Sequence, residues 1–179
     1  MPSHLLPRDL AEHRGPLRPL ALLLHTLDLA ACWAIVAAIT VMVIVVSVQV
    51  ALRYLLNSSL GFADELSRLT FVWSIFLGIP LGVRLGSHIG MELLTARLPP
   101  ALQSVLARAM AALAAAMMAL VAWQSVVLAH DQWDELMASM NASAAWFVVA
   151  VAVGSGHSAL HLVWIALQGK AQGLAVATE

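Results

Sequence analysis

Cysteine occurs once in the 179 residues, as Cys32 inside an apolar run, which excludes a disulfide framework, a Cys-x-x-Cys redox pair and a cysteine zinc cluster. Charge is also scarce. Only 11% of residues are charged and the net charge is −1, so there is no basic surface to neutralise phosphates and no nucleic-acid partner is expected. No nucleophile stands beside a base, no phosphate loop is present and no carboxylate pair is placed for catalysis, so neither enzyme activity nor any cofactor or bound metal is expected. The Asn-x-Ser matches at Asn57 and Asn141 have at most a loop or capping role. A cleavable signal is not expected either, because the first long apolar run begins after Asp28, exceeds a signal h-region and lacks a small-residue cleavage site.

Apolar sequence is what the chain has in abundance. With 61% hydrophobic residues it reads as an all-α integral membrane protein, since lipid offers the backbone no hydrogen bonds and only helices or closed barrels satisfy it internally. Four transmembrane helices joined by interfacial segments are expected, over about 29–52, 61–87, 101–129 and 143–167. Residues 1–28 read as a tail with an interfacial helix around Leu20–Leu27, 29–169 as the membrane domain and 170–179 as a second tail. An even number of spans puts both termini on one side. Seven of the basic residues, Arg8, Arg14, Arg18, Arg84, Arg97, Arg108 and Lys170, then share that side and leave only Arg53 and Arg68 opposite. Both ends are therefore assigned to the cytoplasm.

Charge returns between Arg53 and Glu92, around a short apolar helix. Asn57, Ser58 and Ser59 can cap that helix, and Pro80 deprives the Phe76 carbonyl of its helical donor, which predicts a mild kink. Asp64 and Glu65 precede Arg68 at i,i+4 and i,i+3 spacing, so local ion pairing or docking of a partner is expected at this interface, ahead of a proton or ion relay. Ser74, Gly78, Gly82, Gly86 and Gly90 recur every fourth residue, a stripe that lets another helix approach closely, either within the chain or from another subunit. On a helix, Asp64, Arg68, Ile75, Gly82 and Gly86 share nearly one face. Trp73, Trp123, Trp133, Trp146 and Trp164 are candidates for an interfacial belt, with core packing the alternative for Trp73. His157 and His161 lie at i,i+4 in the last span, with His88 and His130 near helix ends. They support a second reading, a membrane anchor or b-type haem electron-transfer subunit, which requires histidines opposed at matching depth.

The same stretch carries a resemblance. Arg53-Tyr54-x-x-Asn57-x-Ser59-Leu60, Ala63-Asp64-Glu65-Leu66-Ser67-Arg68, Phe71-Val72-Trp73, Phe76-Leu77-Gly78, Arg84 and His88-Ile89 followed by Glu92-Leu93-Leu94 together resemble the small, DctQ-type membrane subunit of tripartite ATP-independent periplasmic (TRAP) transporters. Phe62 stands where that family often has tryptophan, and Glu92 where it commonly has aspartate. The resemblance implies a bacterial inner-membrane, multi-pass protein with no catalytic, substrate or metal site of its own. Its expected partners are a large, DctM-type permease subunit, a periplasmic substrate-binding protein and membrane lipid. The implied role is a scaffold in symport of an organic acid driven by an ion gradient, usually sodium. Candidate structural or partner-interface residues are Arg53, Asn57, Asp64, Glu65, Arg68, Trp73, Gly78, Gly82, Arg84, Gly86, His88 and Glu92. The acidic loop at Asp131, Asp134 and Glu135 is a candidate surface for the binding protein.

Overall fold

The computed structural model describes residues 17–84 and 99–168. Gly86, His88, Gly90, Glu92 and Arg97, most of the expected N-terminal tail and all of the C-terminal one lie outside these residues. Four helices make up nearly all of the described chain: α1 (Arg18–Leu55), α2 (Ala63–Arg84), α3 (Pro100–Asp131) and α4 (Ala145–Gln168). Each is long and apolar enough to cross a membrane. Among the described residues no strand forms, and a single antiparallel bridge joins Leu136 to Ser143.

The helices begin where the chain offers them a start. Pro19 lies in the first turn of α1 and Pro100 opens α3, positions where the missing N–H costs no helical bond. Asp64 and Glu65 occupy the first turn of α2 and Arg84 its last, each charge opposing the helix dipole. α1 does not break at Asp28. It continues for 38 residues, about 57 Å at the usual rise per residue, and so carries Asp28 inside a continuous helix. Its end is made by Asn57, which takes a left-handed conformation (φ 48°) that asparagine tolerates better than most side chains. The Leu56 and Ser58 N–H groups donate back to the Leu52 carbonyl. Asn57 thus serves the helix behind it, whereas capping of the helix ahead was expected.

In space the helices form one layer in the order α1, α2, α4, α3. α2 lies between α1 and α4, α3 packs on the far side of α4, and α1 reaches α4 only where α1 begins. Half of the most apolar stretch of α4 is buried, against 6% of that of α1, so α4 is the central element and α1 presents most of its surface outward. Two ends can be distinguished. At the entry end, α1 starts while α2 and α4 finish; at the loop end lie the α1–α2 and α3–α4 connections.

The closest approach in the layer is between α4 and α2. A Cβ added at Gly154 would overlap the Phe76 carbonyl, the same carbonyl that Pro80 leaves without its helical N–H. One Gly154 Cα hydrogen occupies that direction, in the arrangement of a weak C–H···O contact worth about 0.5 kcal/mol. α2 continues through Pro80, which is buried. Close packing was expected from the small residues of α2, yet it is a glycine of α4 that provides it here, while a Cβ at Gly78 or Gly82 would meet nothing within 4 Å.

Candidate functional site: two polar anchors and an open helix face

The loop end is fastened by carboxylates. Gln49 of α1 donates its side-chain N–H to Asp64 Oδ1 at 3.1 Å. Glu65 accepts three bonds from the α3–α4 connection: Ala138 N–H to Oε1 at 2.8 Å, Ser139 N–H to Oε2 at 2.9 Å and the Ser139 hydroxyl to Oε2 at 2.6 Å. The connection is itself folded back, with Met137 N–H donating to the Ala142 carbonyl and Ala144 N–H to the Glu135 carbonyl. Glu65 therefore spans 74 residues of sequence to hold a loop, and it makes no ion pair with Arg68. Spacing made that local pair easy, but two orphan backbone donors and a hydroxyl offer a carboxylate more bonds than one mobile guanidinium. Arg68 is exposed and forms no ion pair among the described residues.

Glu65→Ala is expected to free the 138–141 segment and raise its rate of cleavage by protease several-fold without altering helix content. Limited proteolysis with mass mapping of the cut sites checks this, and unchanged cleavage would show that the loop holds without Glu65.

The aromatic residues divide between the two ends and the surface. Trp73 packs against Trp146 (centroids 6.4 Å apart) and Trp146 against Trp133 (6.3 Å), joining α2, α4 and the α3–α4 connection. Trp123, Trp133 and Trp146 are exposed, as belt residues would be, whereas Trp164 is buried against Ala21 and Leu24 of α1 and does not belong to a belt.

At the entry end that apolar contact adjoins a buried polar cluster. Asp28 is fully buried. Its Oδ2 accepts a bond from Arg84 Nη1 at 2.6 Å, and its Oδ1 lies 2.7 Å from His161 Nε2 and 3.0 Å from His157 Nε2. The His161 contact is an aligned hydrogen bond. The His157 nitrogen is misaligned and makes no hydrogen bond, although it is buried. Three helices thus meet on one carboxylate. The two histidines of this cluster cannot hold one haem between them, since both rings come from one helix, 5.0 Å apart, and axial ligands must approach a haem from opposite faces.

Sequence reasoning had placed Asp28 at the edge of a span and assigned it no role. The available signal was a lone carboxylate between two apolar runs, with His-x-x-x-His far along the chain to receive it. Of the other candidates, Arg53 is exposed at the end of α1, and Asp64, Arg68, Phe71, Ile75 and Ile79 form an exposed stripe along α2, with open space beside Gly78.

Residues 42–170 match the family described as tripartite ATP-independent periplasmic transporters, DctQ component. A Haemophilus influenzae protein provisionally named a TRAP transporter small permease protein is 34% identical over 71 residues, which cover 40% of this chain. The chain spans 44% of the length of that curated relative.

Proposed function

Since the chain belongs to the DctQ component family of tripartite ATP-independent periplasmic transporters, a multi-pass bacterial inner-membrane protein and not an enzyme, we propose that it scaffolds a large permease subunit through the outward face of α2. In this reading the large subunit carries the transport path, and a periplasmic binding protein delivers an organic acid whose uptake is driven by an ion gradient, of sodium in the first instance. The small chain supplies an immobile frame. A single layer of helices suits that role, because it offers a broad flat face to a neighbour while its own contacts, at both ends, keep the layer rigid.

The observation that carries the proposal is the exposed stripe Asp64, Arg68, Phe71, Ile75 and Ile79 beside Gly78. Apolar side chains on such a face are content in lipid, but a guanidinium a turn and a half into a helix is costly there, and an open glycine lets a second backbone approach closely. A helix of the large subunit bringing an acceptor to Arg68 satisfies both. Tryptophans at the loop end anchor the frame at the interface, and the exposed Asp134 and Glu135 offer the binding protein a negative, salt-sensitive contact.

Arg68→Ala and Gly78→Leu are each expected to reduce recovery of the large subunit in co-purification about tenfold, while this chain alone keeps its helix content and melting temperature. Undiminished recovery from the double variant would reject this face as the interface. Full substrate uptake by large subunit and binding protein reconstituted without this chain would reject the scaffold role.

A further inference from the structure

We propose that Asp28, His157 and His161 form a binding site for one divalent transition-metal ion of the zinc type, tying α1 to α4 at the entry end. One oxygen of Asp28 and one ring nitrogen of each histidine lie within 4.8 Å of one another, and all three residues are buried. The histidines are one helical turn apart on α4, so their rings project from one face, and helix geometry fixes two of the three donors in advance.

His157 provides a second sign, a close but poorly aligned contact. Its side chain is 7% exposed and its Nε2 reaches within 3.0 Å of Asp28 Oδ1, yet it makes no hydrogen bond. A buried ring nitrogen is rarely left in that condition. The same nitrogen is one of the three donor atoms that lie within 4.8 Å of one another. Tetrahedral ligands at zinc–nitrogen and zinc–oxygen distances stand about 3.3 Å from one another. Distances of 2.7 and 3.0 Å to the carboxylate oxygen therefore require its neighbours to part by about 0.6 Å or less, and the two ring nitrogens, within 4.8 Å of each other, must settle to the same spacing, adjustments made through side-chain torsions.

Arg84 acts as a positioning residue. By bonding Oδ2 it turns Oδ1 toward the histidines, as a hydrogen-bonded carboxylate ligand is normally held. Its positive charge also limits affinity, because Asp28 and Arg84 already neutralise each other and the ion brings uncompensated charge; an anionic fourth ligand such as hydroxide relieves part of that. Proton balance presents no obstacle. A neutral imidazole binds a metal through Nε2 when its proton resides on Nδ1, so His161 only changes tautomer on giving up its bond to Asp28. Two imidazoles with a single carboxylate favour zinc and its neighbours over calcium or magnesium, which seek several oxygens.

The test uses the full chain, purified in detergent through a tag free of histidine. Titration with Co2+ is expected to produce visible absorption that saturates at one equivalent per chain and is bleached by Zn2+. His157→Ala is expected to weaken binding at least tenfold, while circular dichroism and elution volume stay as in the wild type, because this variant keeps both the Asp28–Arg84 pair and the Asp28–His161 bond. His157→Cys, which restores a zinc donor, is expected to recover binding. Absence of saturable absorption in the wild type would overturn the proposal. So would saturation that persists unchanged in His157→Ala, which would place the ion on other histidines such as His4 and His13.

Discussion

Asp28→Ala is expected to lower the stability of the chain by about 3–5 kcal/mol, the usual cost of stranding one member of a buried ion pair. Arg84 Nη1 lies 2.6 Å from the Asp28 carboxylate with its side chain 5% exposed, so the guanidinium left behind would lose this buried counter-ion. The His161 ring nitrogen would lose its acceptor as well. The measurement is the melting temperature in detergent of Asp28→Ala, Arg84→Leu and the double variant. Removing both charges together takes out the buried pair as a unit, and the double variant is expected to be more stable than Asp28→Ala by at least 1 kcal/mol. A double variant as weak as Asp28→Ala would mean that packing around residue 28, and not charge, supports this end of the layer.

Alanine placed at two glycines of α4 should give opposite results. Gly156→Ala puts a methyl 4.0 Å from the Ala122 side chain, an ordinary contact, and replaces a poor helix former by the best one. It is expected to stabilise the chain by about 0.5–1 kcal/mol. Gly154→Ala forces the same methyl into the Phe76 backbone, which has no rotamer with which to withdraw, so α2 and α4 must separate. A loss of about 1–3 kcal/mol is expected, accompanied by a wider Trp73–Trp146 separation that tryptophan fluorescence would report. Two shifts of the same sign would show that the α2–α4 crossing is not governed by this contact.

Much of the fold was legible in the sequence for one reason. A segment of some twenty apolar residues has few alternatives to a membrane helix, although α1 starts at Arg18, well before the 29 expected for the first span. The charged stretch after Arg53 was also identifiable as special. Its bonds were less accessible, because spacing exposes local partners and Glu65 takes distant ones at Ala138 and Ser139. The buried cluster was hidden for the same reason: Asp28 meets Arg84 across 56 residues and His161 across 133, while in its own neighbourhood it resembles the polar edge of a span. The small residues of α2 suggested a groove but could not say which helix uses it, and inside the chain Gly154 of α4 provides the tightest crossing.

By itself, then, the sequence determined that this is a membrane protein of the transporter-subunit kind with four spans, the number of helices long and apolar enough to cross a membrane among the described residues. Apolar length and backbone hydrogen bonding are properties of each segment alone. Only the tertiary structure decided that the helices lie in a layer ordered α1, α2, α4, α3, that Asp28 is the centre of the entry end, and that the charged and glycine face of α2 points outward. In lipid apolar side chains do not draw helices together, so the arrangement depends on where backbones can touch and where buried charges find partners, and both are relations between residues far apart in the chain.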